Sequence, residues 1–275
     1  MHPICSWMVT VDFCDELELT RLEPGRLSRY AVLWHDEAPI KSDIDWSIQD
    51  DLAVRAHLLL EQHIGRALPV QLTLRKRIPI GGGLGGGSSN AAAMLSACCA
   101  LFDLHDEVSR AQMLELAVAL GSDVPFLLGG GSAIVEGTGE SLEHFKDLPD
   151  LHIVLIFAEA TCHTPSIYAQ FDKAAPSELR PEAVRSLAAG VGEPFNDLAG
   201  AATALAPAIQ EHIEAIGKRC QCNVHITGSG SSLFIICGSR GQAQSTAATI
   251  TEQLDIHAVA VEPTRYTLSS ETTSP

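Results

Sequence analysis

Pro79-Ile80-Gly81-Gly82-Gly83-Leu84-Gly85-Gly86-Gly87-Ser88-Ser89-Asn90-Ala91 is the stretch on which the reading of this 275-residue chain turns. The segment before it, Val70 to Leu74, alternates like a strand, and the Ala/Met/Leu/Cys-rich run Ser88 to Leu101 after it has the composition of a buried helix. Six glycines between them let the backbone take positive φ and let a ligand approach with no Cβ in the way. The loop opens into a helix whose first N–H groups have no intrahelical acceptor and carry the positive end of the dipole. That order, strand then glycines then helix start, makes a cradle for phosphate. Ser88 and Ser89 add hydroxyls able to cap the helix or bond a phosphate oxygen, and Ser89 is the candidate Mg²⁺ ligand. Lys76 and Arg77 either solvate a strand end or add cationic contacts to a nucleotide.

Three readings of the loop compete. Gly81-x-Gly83-x-x-Gly86 matches a dinucleotide fingerprint, which wants an acidic residue about 20 positions on at the end of a second strand. Asp106 stands at that distance but precedes a helix. Gly82 to Gly87 keeps the spacing of a Walker A loop, with Ser88 where the lysine belongs. A simple hinge requires neither so many glycines nor a double serine, so phosphate binding ranks above it.

Working outward, Trp7 to Val11 and Leu17 to Leu19 alternate within a strand-like stretch Ser6–Leu19, and Tyr30 to Trp34 reads as another strand. Asp50 to Ile64 and Ser109 to Leu120 have helical spacing, and a strand is expected from Ser132 to Val135. Leu151 to Phe157 is a short, wholly apolar strand. Helices are expected over Pro165–Phe171, Pro181–Ala189, Asn196–Ile216 and Gln242–Gln253, with strands at Val224–Thr227, Ser232–Cys237 and Ala258–Val261. The tail from Thr267 is polar and reads as frayed. The fold class is α/β (α+β) with two lobes, residues 1–150 and 151–275.

Lys and Arg number 18 against 34 Asp and Glu, a balance of −16, which repels nucleic acid and anionic lipid. An anionic small substrate then needs a local N–H-rich pocket, which the glycine loop supplies. The eight cysteines show no disulfide framework and suit a reducing compartment. Cys220, Cys222 and His225 lack a second ligand pair and are better explained by strand packing than by zinc. No leader pattern and no membrane-length apolar run are visible, so a cytoplasmic monomer or homodimer is expected.

The run Pro79 to Ala92 resembles the nucleotide loop of the GHMP kinases, small-molecule kinases that bind ATP without a Walker A lysine. Its form is similar to that of the branch acting on 4-diphosphocytidyl-2-C-methyl-D-erythritol in the non-mevalonate isoprenoid pathway. Gly121-Ser122-Asp123-Val124-Pro125-Phe126 and Thr227-Gly228-Ser229-Gly230-Ser231-Ser232 resemble the family's second and third motifs, in family order. The resemblance implies a GHMP kinase-like two-lobed fold, ATP with Mg²⁺, and a small cytidine diphosphate substrate. It makes Asp123 the catalytic candidate, where an isolated aspartate would read as a turn or cap. Lys76, Pro79, Gly81, Gly82, Gly83, Leu84, Gly85, Gly86, Gly87, Ser88 and Ser89 become nucleotide candidates. His2, Thr164, Tyr168, Thr227, Gly228, Ser229 and Gly230 become substrate candidates, with a core tyrosine and an ordinary β-turn as the other readings of Tyr168 and Thr227–Ser231. A kinase for another small alcohol, or a non-catalytic nucleotide-binding relative, remains open.

The match departs at its start. The family opens with Pro-x-x-Ala-Lys-x-Asn and a Gly-Tyr-His segment, whereas here Met1-His2 stands at the tyrosine and histidine. The resemblance then implies a first-lobe sheet short of one strand and an Asp123 without its cationic partner, hence weak or no turnover by the chain as written and full activity only from a longer start.

Overall fold

A computed structural model describes residues 2–147, 149–158, 160, 162–173 and 179–265. The tail from Thr267 lies outside them. The mixed α/β class is as expected, with the strands distributed over three sheets.

Strands β1 (Ile4–Val9), β2 (Glu16–Arg21) and β3 (Arg29–Trp34) open the chain. The stretch Ser6–Leu19 is therefore two strands in different sheets. Thr10 to Asp15 between them turn aside, with Thr10 bonded to Gly131 and Thr264, and Asp12 accepting from the Glu262 N–H. Helix α1 (Leu52–Ile64) is started by the Asp51 carboxylate, which accepts from the Ala53 N–H at 2.9 Å, and is stopped by left-handed Gly65. Strand β4 (Val70–Lys76) is the centre of the sheet β2-β4-β3, antiparallel to β2 and parallel to β3.

Helices α2 (Gly86–Leu101), α3 (Arg110–Leu120) and α4 (Val124–Gly129) follow. A Ser109/Gln112 capping box begins α3. Helix α2 starts two residues earlier than its apolar pattern, because Gly86 and Gly87 already take helical geometry. Its Ala91, Met94, Leu95 and Cys98 are fully buried among Ala53, Leu60, Leu72 and Ala117, which makes one core of α1, α2, α3 and the central sheet.

Strands β5 (Ser132–Gly137) and β6 (Ser141–Phe145) join β1 in the order β1-β5-β6, all antiparallel. Two of these elements escaped the sequence reading. Helix α4 is too short to show a helical period, and β6 is a mostly exposed edge strand with polar residues on both faces.

The third sheet, β10-β7-β9-β8, is built from β7 (His152–Ile156), β8 (His225–Ile226), β9 (Leu233–Cys237) and β10 (Ala258–Val261). It shares a core with α5 (Thr164–Phe171), α7 (Ala199–Leu205), α8 (Pro207–Cys220) and α9 (Arg240–Leu254), while α6 (Pro181–Ala188) packs elsewhere. The uniform apolarity of β7 has a direct cause. Val154 and Ile156 face a core with Ile209, Ile216 and Ile250, while Ile153, Leu155 and Phe157 face a second core with Val11, Phe13 and Leu84. The helix expected over Asn196–Ile216 is instead α7 and α8, broken at Ala206–Pro207. Pro207 has no N–H to continue the ladder and begins the next helix at its first position. Helix α6 packs on β1 and β5, with the Arg185 guanidinium 3.8 Å from Glu136 and 3.7 Å from Glu143.

Leu95 is fully buried in the α1–α2–α3 core, so Leu95→Ala should lower unfolding free energy by about 3 kcal/mol, read by urea denaturation.

Candidate active site

A cavity of about 2250 Å³ opens among the three sheets. Its wall includes β1, the run Pro79 to Ser89, Asp123, Tyr168 and Thr227 to Ser229. The catalytic, nucleotide and substrate candidates lie on this wall with the exception of Gly230, which is buried behind it against Cys162, Ile226 and Ile209, and Arg77 is not on it either.

At the head of α2, left-handed Gly85 occupies the cap position and no side chain closes it. The helix-capping reading of the serines does not hold: Ser89 Oγ donates to the Gly86 carbonyl at 2.8 Å, within its own turn. The first N–H groups of α2 are thus left to the cavity, the arrangement that favours an anion. The glycine loop docks on the third motif by main chain. Ser232 N–H donates to the Gly82 carbonyl at 3.1 Å, and Thr227 Oγ1 donates to the Gly83 carbonyl at 3.2 Å. At Gly83, with φ +70°, a Cβ would stand 2.5 Å from the Thr227 carbonyl oxygen and 2.8 Å from that of Gly230. Glycine is required there on both counts.

Asn196, which carried no motif signal, holds the other side of this junction. Its Nδ2 donates to the carbonyls of Ile226 and Gly228, both at 2.8 Å, and its Oδ1 accepts from the Leu198 N–H. An Asn two residues ahead of a helical pattern was a readable turn signal, but its long-range partners were not.

Asp123 sits at the N-cap of α4 without making the cap bond, so its carboxylate is not consumed by the helix. Ser122 Oγ donates to its Oδ1 at 3.1 Å. Burial pushes the carboxyl above its ordinary value, and only the Ser122 bond counters that. Gly139 is a further contributor missed from sequence. At φ +103° it lies against the Ser122 backbone so closely that any Cβ would collide, which fixes the peptide just before Asp123.

His2 and Tyr168 stack at 4.8 Å between ring centroids and 19° between planes, and His2 Nε2 is 2.7 Å from Asp172 Oδ1. Burial, then the Asp123 charge, raises the Tyr168 phenol above its usual value, which places the ring in the field of that carboxylate. Thr164 Oγ1 and Ser229 Oγ share a hydrogen bond of 2.8 Å across the α5 side of the cavity. Lys76 is not a solvated strand end. Its ammonium is buried and donates to Asp15 Oδ2 at 2.8 Å, and Arg77 is paired with Glu37. Neither cation is left over for an anion in the cavity.

The GHMP kinases N terminal domain matches residues 51–131. The 4-diphosphocytidyl-2-C-methyl-D-erythritol kinase of Deinococcus radiodurans is 34% identical over 256 residues, covering 92% of this chain and 82% of that protein. The same enzyme of a Polaromonas strain is 34% identical over 240 residues, 86% and 75% of the two chains. Among solved structures, a 4-(cytidine 5′-diphospho)-2C-methyl-D-erythritol kinase superposes with a TM-score of 0.73 at 30% identity, covering 94% of this chain and 90% of the other. Methanococcus jannaschii mevalonate kinase shares the fold, with a TM-score of 0.67 at 10% identity over 96% and 98% of the chains.

Gly83→Ala should separate the two docked loops. The cost is expected to be at least about 2 kcal/mol from the left-handed backbone and the carbonyl collision together, measured as a loss in thermal unfolding.

Proposed function

This chain belongs to the 4-diphosphocytidyl-2-C-methyl-D-erythritol kinases within the GHMP kinases, and from that premise we propose how its own residues carry out the transfer. The chain is a small-molecule kinase. It moves the γ-phosphoryl group of ATP to the 2-hydroxyl of 4-diphosphocytidyl-2-C-methyl-D-erythritol, a step in making isoprenoid precursors. The bond from the γ phosphorus to the β–γ bridging oxygen breaks, a bond to the acceptor oxygen forms, and the hydroxyl proton leaves.

In this reading Pro79 to Ser89 and the free N–H groups of α2 hold the ATP phosphates. Asp123 accepts the hydroxyl proton and orients the attacking oxygen. Tyr168 and His2 present flat faces to the cytosine ring, and Thr164 with Thr227, Gly228 and Ser229 closes around the substrate diphosphate. Gly230 shapes that wall from behind. Lys76 contributes through its ion pair and not by touching nucleotide. Residues 1–150 act as the nucleotide lobe and 151–275 as the second lobe, a division supported by the core around α2 and by the core between β7, α8 and α9, each drawn from one lobe, while the other face of β7 packs on Val11, Phe13 and Leu84 of the first.

The single observation that carries the proposal is that the helix-start cradle, the uncapped buried carboxylate and the Tyr168 ring all open on one cavity. Among the described residues no group of three or more acidic, His or Cys side chains forms a metal cage. Mg²⁺ needs none when phosphate oxygens complete its shell, and Ser89, on the cavity wall, would add its hydroxyl oxygen. When bound it neutralises charge on the transferring phosphoryl group. Free thiols suit a reducing, ATP-containing cytoplasm, and among the described residues no helix is long and apolar enough to cross a membrane.

Asp123→Asn should lower kcat by about 10²–10⁴-fold. In the parent protein the base must be ionised, so the acid limb of the pH–rate profile should lie above the ordinary carboxylate range. The stability effect has the opposite sign. A carboxyl raised on folding stabilises below its unfolded value, and that contribution is lost as pH rises through the folded one. The Asn variant should therefore unfold no more easily than the parent at neutral pH, which thermal melts from pH 4 to 8 would check.

A further inference from the structure

Asp15 lies in the connection between β1 and β2 and is not on the cavity wall. Its side chain is 1% exposed, yet its carboxylate has four partners. Oδ2 accepts from Lys76 Nζ at 2.8 Å and from Asn90 Nδ2 at 2.7 Å. Oδ1 accepts from the N–H groups of Arg77 at 2.7 Å and Ile78 at 2.8 Å. Residues 76–78 are the stem that enters the glycine loop, and Asn90 stands in the second turn of the helix that leaves it. One carboxylate therefore ties both ends of the loop.

We propose that Asp15 is a positioning residue for nucleotide binding, a clamp that fixes the separation of the two stems and so the aperture of the glycine loop. The proposal rests on the reading that this loop holds the ATP phosphates. All four partners are donors, so the site demands a group that only accepts, which is an ionised carboxylate and not an amide. The Ile78 N–H bond also seats the Ile78 side chain against Gly86, where a Cβ would come within 2.8 Å of Ile78 Cγ2. The first residue of α2 is thereby held against the last turn before the loop. Lys76, 6% exposed at its side chain, neutralises the buried charge next to an anion site. In a chain of net charge −16 that neutralisation keeps the clamp from repelling the phosphates it serves.

Asp15→Asn keeps the shape but turns an N–H₂ group toward Lys76 and Asn90. Asn90→Ala deletes the helix-side tie alone and leaves the ion pair, which keeps the test open if the first variant does not fold. Binding of AMP-PNP with Mg²⁺ and of cytidine 5′-diphosphate would be measured by calorimetry, with amide hydrogen exchange over residues 79–90. We expect AMP-PNP to bind about tenfold more weakly in Asp15→Asn and about three- to fivefold more weakly in Asn90→Ala, with cytidine 5′-diphosphate within about twofold. Exchange in the ligand-free loop should quicken in both. Unchanged AMP-PNP affinity in both variants, or equal loss of both ligands, overturns the clamp while the nucleotide still protects the parent's loop. Absence of that protection in the parent protein overturns the phosphate-loop reading itself, and the clamp's link to nucleotide with it.

Discussion

The active-site cavity depends on a main-chain contact between two glycine-bearing turns. The Gly82 and Gly83 carbonyls accept from Ser232 and Thr227, and Gly83 comes so near the Thr227 and Gly230 carbonyls that no side chain fits. This junction sets the uncapped head of α2 against the wall that carries Thr227 to Ser229. Asn196 secures it from behind by holding the Ile226 and Gly228 carbonyls. A shift at any of these points would change the distance between donor and acceptor sites, to which phosphoryl transfer is sensitive.

The electrostatics follow from the same geometry. In an acidic chain the obvious way to attract a triphosphate is to aim cations at it, yet Lys76 is spent on Asp15 and Arg77 on Glu37. At the glycine loop itself, the free backbone N–H groups and the helix dipole would supply the attraction in the proposed nucleotide site, at no further cost in desolvating a charged side chain. Asp123 lies on the same cavity wall with its carboxyl raised by burial, a property that suits a proton acceptor.

Much of this was legible in the sequence. The glycine loop, the head of the helix after it and parts of the second and third motifs, all visible in the sequence, contribute to one cavity wall. What stayed hidden was mostly long-range. Asn196 and Asp15 gave no motif signal because their partners lie 30 and 32, or 61 to 75, residues away. Alternation over Ser6–Leu19 marks strands but is blind to the turn that sends β1 and β2 into different sheets. Helix α4 has too few residues to show a period, and apolar spacing that runs on through Pro207 hides the break between α7 and α8.

Strand β7 is apolar on both faces because each face meets a different core. Such a segment has no solvent side onto which a changed side chain can be turned, so neutral drift is confined to near-isosteric aliphatic exchanges. The edge strand β6, by contrast, turns Ser141 and Phe145 toward solvent, and lineages of this chain should diverge there before they do in β7.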